Sequence, residues 1–324
     1  MMKTFRIATR ASAMALAQSN AVRDALQARF PEHRFELATR QASADLDYKS
    51  RLGALGGKGG AFVQSMRDMI SAGQADMAMH SLKDLPGNDE YYLNGAFAIG
   101  ACLPRDDARD ALVLRAGMGL GDVPAVIGTS SVRRRAFLRR LFPASDVVPF
   151  RGSADRRIER LDNGVPMEFN YGSSTPAIDA LVLAKSGLER IDFGHRVSRV
   201  FSLEEMSPAI GQGIVVAEYA TENAEVRALL AAIDDKVTAY CYKAERALLR
   251  TLDGHCDSPI GGLARIEGGK LMLTGVVIST DGRSMLTVTD DTSSAPPEDL
   301  GTRLGQRMNM LGAQQIIGES RYVD

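Results

Sequence analysis

The order of apolar and polar positions divides the chain into two similar stretches and a third of another kind. Residues 5–9 (FRIAT) form a short apolar run suited to a buried strand, with Arg10 and Ser12 just beyond it. An amphipathic run over residues 13–30 stops before Pro31, which predicts a helix with Ser12 as its N-cap. A strand is expected at 34–39. A helix is expected at 62–72, where Phe62, Met66, Met69 and Ile70 recur at helical spacing, and a buried strand at 75–79 leads into His80-Ser81-Leu82-Lys83-Asp84. Between them, residues 41–60 are polar, Gly-rich and without periodicity, as a loop is.

The strand–turn–helix rhythm then repeats, with strands at 123–127, 146–150 and 178–184 and helices at 132–142 and from 153 through 161. This alternation predicts parallel α/β sheets. The last ninety or so residues differ: a helix at 237–252, alternating segments at 263–266, 270–278 and 284–289 punctuated by Gly pairs, and a closing helix at 298–311. That pattern predicts an α+β module with an antiparallel three-stranded sheet. The expected division is residues 1–104 plus 212–232, residues 105–211, and residues 233–324.

Composition narrows the classes. The 324 residues carry a formal net charge of −1, which argues against a protein that coats nucleic acid or a membrane surface. The N-terminus lacks a signal-peptide pattern and no window is apolar for long enough to span a bilayer, so a cytoplasmic monomer acting on a small molecule is expected. Three widely spaced cysteines (Cys102, Cys241, Cys256) make neither a disulfide framework nor a zinc site, and no metal is expected. Only eight of the 39 basic residues are Lys, and on composition alone codon usage explains that bias better than function does.

Position says more than number. Arg10 with Ser12, Ser130 with Arg133 and Arg134, and Arg151 with Arg157 fall at predicted strand ends, where ligands of open α/β sheets bind, and Arg190 near a helix end. Arg forks and free helix N–H groups suit a polyanion. Arg133 and Arg134 are assigned to the ligand, Arg135, Arg139 and Arg140 to a solvated helix face. Asp84 reads equally as half of a surface ion pair with Lys83 or as a general acid/base. Cys102 and Cys241 sit in apolar or helical surroundings, whereas Cys256 lies in a polar DGHCDSP turn, as a reactive thiol would. His80 and His255 lack metal-ligand spacing and read as structural. Gly56–Phe62 (GGKGGAF) lacks the phosphate-loop spacing and suits a flap over a site.

Taken in order, RIATRASAMAL, GGKGGAFV, DMAMHSLKDLP, RDDARDAL, GTSSVRRR, FRGS, LDNG, SPAIGQG, AERALL and DGHCDSPIG closely resemble the porphobilinogen deaminase family, over residues 6 to about 262. The resemblance implies two α/β domains like a periplasmic binding protein's pair, plus a smaller third domain. It implies hydroxymethylbilane synthase activity: four porphobilinogens condense head to tail with loss of ammonia, primed by a dipyrromethane cofactor made from substrate. The family's anchoring Cys falls on Cys256 and its catalytic Asp on Asp84. Its cofactor-binding positions fall on Lys83, Ser130, Arg133, Arg134 and Arg157, its substrate-binding positions on Arg10, Ser12, Arg151 and Arg190, and its flap on Lys58 and Phe62. A carboxylate would stabilise the cationic azafulvene left by ammonia, and a thiolate would capture it.

The sequence departs from the family at three places. Ser153 and Arg156 stand where the family's R-G-N-x-x-T-R run has Asn and Thr. The flap shows Ala42-Ser43-Ala44-Asp45 in place of a Gly-Asp pair, and about a dozen extra residues lie between Asn163 and Ile178. Pro166, Pro176 and a Gly-Ser-Ser centre make residues 165–177 read as a surface excursion. A paralogue with another pyrrole or product length, or a non-catalytic binder of dicarboxylates or oligopyrroles, are the alternatives.

Overall fold

Strands buried on both faces fix the architecture. The computed structural model describes residues 1–40, 61–87, 95–119, 121–169, 173–255 and 258–319. The chain starts with β1 (Thr4–Arg10), α1 (Ala13–Arg29), β2 (Arg34–Arg40), α2 (Ala61–Ser71), β3 (Met77–Ser81) and β4 (Phe97–Cys102). Val22 and Leu26 of α1 pack with Phe5, Ile7 and Met77 on one face of the sheet, and Met66 and Met69 of α2 with Ala8 and Ala78 on the other. Alternate side chains of one strand thus feed two helix layers.

After β4 the chain crosses to a second sheet: β5 (Asp110–Leu114), β6 (Val126–Gly128), α3 (Val132–Leu141), β7 (Asp146–Val148), α4 (Ala154–Asp162), β8 (Met167–Glu168), β9 (Ser174–Thr175), β10 (Ala180–Ala184), α5 (Lys185–Arg190) and β11 (Arg199–Val200). It then returns to the first sheet as β12 (Val215–Ala220), between β3 and β4, followed by α6 (Ala224–Ala231). The strand orders are β2-β1-β3-β12-β4 and β11-β5-β10-β6-β7.

Neither sheet is purely parallel, contrary to the expectation from alternation. β12 runs antiparallel to β3 and β4, and β5 antiparallel to β10 and β11. The cause is the double crossing: β12 enters its sheet from the opposite end. The crossing segments bond to each other, Asp106 N–H donating to Gly213 O at 3.1 Å. The strand expected at 123–127 is also shorter, and Val123 is exposed.

The third unit contains α7 (Lys236–Thr251), the antiparallel meander β13 (Ile260–Glu267), β14 (Lys270–Ile278) and β15 (Met285–Thr292), then α8 (Pro297–Met310) and α9 (Ala313–Glu319). It shares apolar contacts with both other sheets. Val276 and Ile278 pack with Phe137, Leu138 and Phe201, while Ala239 packs with Val63, Leu82 and Leu85. Arg139, expected on a solvated face, is half-buried and donates to Thr280 O at 2.9 Å, while Arg140 is exposed as expected and also reaches Gly282 O at 3.4 Å. They grip the β14–β15 turn, where Gly282 has φ +77° and a Cβ would meet Ala136 O at 2.7 Å.

The insertion is also corrected. Within 165–177, β8 and β9 pair as a hairpin, and Met167 and Phe169 are buried with Phe150, Ile158, Leu161 and Ile178. Two apolar side chains two residues apart point to one face of a strand, and that face closes the second sheet's core. Met167→Ala should therefore destabilise the protein by about 2–5 kcal/mol, the usual cost of emptying a core site. Chemical denaturation checks this, and a loss under about 0.5 kcal/mol, the range of neutral surface changes, would show the hairpin to be a mere excursion.

Candidate active site

A cavity of about 560 Å³ lies between the two sheets, lined where strands end and helices begin. β1 delivers Arg10, β3 and the following turn Ser81, Lys83 and Asp84, β6 Ser130, β7 Arg151, and β10 Leu183 and Ala184. The first turns of α1, α4 and α5 line it too. First-turn N–H groups have no partner inside their own helix and carry the positive end of its dipole. Ser12 caps α1 by accepting from Ala15 N–H at 3.3 Å, and Ser131 caps α3 by accepting from Arg134 N–H at 3.4 Å. Ser153, at the same position before α4, makes no side-chain cap bond.

Seven cationic side chains line the cavity against two carboxylates, Asp84 and Asp155, so its charge selects an anion. Asp84 is exposed. Burial first, then Arg134, pushes Lys83 down to about 8, and the same two causes push Arg157 down to about 10. The Nε of Arg157 is buried with no hydrogen-bond partner among the described residues. These are the marks of a wall that awaits negative charge.

Of the residues expected at a site, the structure gathers Arg10, Ser12, Lys83, Asp84, Ser130, Arg134, Arg151, Arg157 and Arg190 around this cavity. Several are already engaged. Ser130 Oγ donates to Phe150 O at 3.0 Å, Arg134 bonds Asp110 at 2.7 and 3.0 Å, and Arg190 bonds Asp106 at 2.8 Å and Gly213 O at 3.0 Å. Arg133 does not line the cavity itself and lies behind Arg134 on their shared Asp110. Its two terminal nitrogens donate to Ser207 O at 2.5 Å and to Asp110 at 2.6 Å, while its Nε is buried without a hydrogen-bond partner among the described residues. Cys256 and Lys58 lie outside the described residues, as does the side chain of Phe62.

Three residues that hold the site together were not singled out from sequence. Asp110, fully buried at the start of β5, accepts from both Arg133 and Arg134 and from Gln212 Nε2 at 2.9 Å. Burial would raise its carboxyl, but the two guanidinium groups outweigh that and hold it well below the usual range. Gln212 turns its Oε1 toward Lys83 Nζ at 3.5 Å, joining the Asp84 turn to Asp110. Glu245 of α7 pairs with Arg105 and accepts from the N–H groups of Gly211 and Ala264, both at 2.8 Å. The RDDARDAL, SPAIGQG and AERALL segments contain these residues, so the signal lay in segments noted for their order alone.

The remaining candidates are internal. His80 is buried with Nε2 3.4 Å from Glu218, whose carboxylate accepts from Arg67 at 2.6 and 2.9 Å. Burial pushes the Cys102 thiol up, with the adjacent Asp234 carboxylate adding to it, and burial pushes Cys241 up to about 11. Neither is poised as a thiolate. The turn before Cys256 comes close to the turn after Asp84: a Cβ on Gly87 would lie 2.5 Å from Gly254 O. Arg246 of α7 secures that approach by donating to Leu85 O and Pro86 O. Among the described residues no cluster of His, Cys, Asp and Glu is arranged to hold a metal ion, and no helix is long and apolar enough to cross a membrane.

Two mixed α/β sheets that enclose a cation-lined cavity, with a third module seated against both, define a two-lobed α/β protein for a ligand rich in carboxylates. Comparison with known proteins makes the class specific. The sequence model described as "Porphobilinogen deaminase, dipyromethane cofactor binding domain" matches residues 5–228, and that of the family's C-terminal domain matches residues 239–310. Porphobilinogen deaminase of Syntrophobacter fumaroxidans is 37% identical over 319 residues, covering 98% of each chain. That of Thiobacillus denitrificans is 36% identical over 318 residues, again covering 98% of each. Among solved structures, immunogenic lipoprotein A from Vibrio vulnificus aligns with a TM-score of 0.41 at 10% identity, over 72% of this chain and 96% of its own. The chain belongs to the porphobilinogen deaminase family.

The depressed Lys83 sets a pH dependence. Between about 8 and its ordinary 10.5 the unfolded chain holds more protons at this site than the folded one, so Lys83 adds relative stability to the unliganded fold as pH rises through that window. Ligand affinity goes the opposite way, because a carboxylate needs the ammonium form. Binding of a pyrrole acetate–propionate should weaken up to about tenfold for each pH unit above about 8, one unit being worth about 1.4 kcal/mol. Lys83→Met should bind more weakly at neutral pH and flatten the decline. Calorimetric titrations of both proteins across this range provide the check, and equal slopes would remove Lys83 from the ligand's environment.

Proposed function

We propose that this protein polymerises four porphobilinogen units head to tail into hydroxymethylbilane with release of ammonia, from a dipyrromethane covalently held on Cys256. The observation that carries the reading is the exposed Asp84 carboxylate set in a cavity wall where seven cationic side chains face only one other carboxylate, Asp155. Each porphobilinogen brings an acetate and a propionate, which Arg10, Lys83, Arg151 and Arg157 and the helix N-termini are suited to bind. The donor set fits the cofactor as well, since its carboxylates answer the unpartnered Arg157 Nε. Lys83, Ser130, Arg134 and Arg157 would hold it, with Arg133 positioning Arg134 through their shared Asp110. When bound, the dipyrromethane supplies a nucleophilic pyrrole terminus for chain growth.

Asp84 supplies the electrostatics. Breaking the aminomethyl C–N bond releases ammonia and leaves positive charge on the substrate carbon and its ring nitrogen. A fixed carboxylate stabilises that charge and accepts the pyrrole N–H, an effect that acts where charge develops. Because the buried Cys102 and Cys241 thiols are held protonated, Cys256 is the cysteine left for a thioether. A cytoplasmic monomer is proposed with it, the three widely spaced cysteines suiting a reducing compartment. The division into 1–104 plus 212–232, 105–211 and 233–324 is proposed with it, the first unit carrying Asp84, the second the arginine wall and the third Cys256.

Protein purified from cells that make porphobilinogen should be heavier than its sequence by two linked pyrrole units. The addition should map to the Cys256 peptide and be absent from Cys256→Ser. Unmodified protein that stays unmodified after incubation with porphobilinogen would overturn the assignment. Asp84→Asn should fold normally and keep substrate affinity within a few-fold, while turnover falls by about 10²–10³, the effect of losing one preorganised electrostatic group. Steady-state kinetics at matched cofactor occupancy decides, and near-parental turnover would exclude the role.

A further inference from the structure

We propose that Arg156 is a specificity-determining residue of this cavity, a clamp for a substrate carboxylate distinct from the one Arg157 receives. The inference rests on the function proposed above and deepens it. Arg156 stands in the first turn of α4, is exposed, and lines the cavity. Its side chain has no hydrogen-bond or ion-pair partner among the described residues. Other cations on the wall are committed to protein groups: Arg134 to Asp110, Arg190 to Asp106, Lys83 to Gln212.

Three further features concentrate unsatisfied donors at this turn. Arg157, the next residue, also lines the cavity and has a buried Nε without a partner. Ser153 leaves the first-turn N–H groups of α4 uncapped by its side chain, unlike Ser12 and Ser131 at their helices. Asp155 is the one acid in that turn. Two guanidinium groups and open N–H groups facing one carboxylate leave a deficit of negative charge that a bound anion would fill.

Helix geometry separates the two arginines. Consecutive residues diverge by about 100° around a helix axis, so their side chains do not face each other. Arg157 is directed to the wall, where its Nε is buried, and Arg156 to the mouth, where it is exposed. One carboxylate cannot satisfy both. A pyrrole with acetate and propionate on adjacent ring carbons presents two, a few ångströms apart. Arg156 therefore favours a unit that carries both carboxylates over one that carries a single acid.

The test uses the holoprotein and a pyrrole bearing the same acetate and propionate but no aminomethyl group, so that it binds without reacting. Arg156→Gln should weaken its binding by about 3–10-fold, the loss of one partly solvated charge-assisted bond, and Arg156→Glu should weaken it further. The difference between parent and Arg156→Gln should shrink in high salt. A pyrrole lacking the propionate should bind the parent and Arg156→Gln alike. With porphobilinogen the effect should fall on KM rather than kcat, and thermal unfolding of the variant should match the parent. Equal affinity of parent and Arg156→Gln overturns the proposal, and so does weakened binding that accompanies a lowered melting point. A parent that shows the affinity difference but never turns over porphobilinogen supports the clamp while refuting the functional reading.

Discussion

Asp110 is a buried carboxylate at the first residue of β5, and two guanidinium groups and an amide converge on it. Few groups are more expensive to bury alone, and few hold their surroundings more tightly once paired. Arg133 and Arg134 tie it to the start of α3, Gln212 ties it to the returning segment before β12, and Arg133 reaches on to Ser207 O. Removing the carboxylate would leave two cations with no counter-charge in the protein interior. Such broken pairs cost about 3–5 kcal/mol, a large fraction of a fold's net stability. The orientation of the second sheet against the first thus depends on one carboxylate, and so does the placement of Lys83, which meets Gln212 from the other side.

A second ionic centre fixes the third unit in the same way. Glu245 is buried on α7 and binds Arg105 from one crossing segment, Gly211 N–H from the other, and Ala264 N–H from β13. Its neighbour Arg246 reaches the carbonyls of Leu85 and Pro86, just past Asp84. One helical turn therefore holds the loop that carries the carboxylate and the module that carries the Cys256 turn. The close backbone approach of Gly87 and Gly254 leaves no room for a side chain between them. The backbone just after Asp84 and the backbone at Gly254, far apart in sequence, are thereby held together.

These relations also explain which parts of the molecule were legible in the sequence. β1, β3, α1 and the C-terminal meander announce themselves through local periodicity and caps, because the signal for a buried strand or an amphipathic helix lies within a few residues. β5 and β12 went unread although each is a short apolar run buried on both faces like β3 and β10, because each lies beside a crossing between sheets rather than in the strand–turn–helix rhythm. Site residues at strand ends were found for a positional reason. The tie of Arg133 to Asp110, 23 residues upstream, could not be read locally, and Arg139 was misjudged because its acceptor lies 141 residues away. Long-range pairing of this sort leaves no local trace. The hairpin at 165–177 was misread for a different reason: its polar centre outweighed Met167 and Phe169, whose spacing of two marked a strand face.

The contrast between Asp110 and Asp84 bears on how one site can both bind and react. Asp110 is fully buried and fully satisfied, and it takes up the two arginines that would otherwise crowd the cavity with uncompensated charge. Asp84 is exposed, shares a turn with Lys83 alone, and keeps its acceptor capacity. Before ligand binding, the surrounding cations compete for it. Under the proposed function, ligand carboxylates on Arg151, Arg157 and the helix N-termini would neutralise those cations and leave Asp84 free to accept from a pyrrole N–H. On that reading the carboxylates of the substrate, which take no part in bond making, would free the carboxylate of the protein for the charge that develops during reaction. Binding energy gained at a distance is converted into electrostatic stabilisation at the reacting carbon, and the conversion requires that the wall be left short of negative charge when empty.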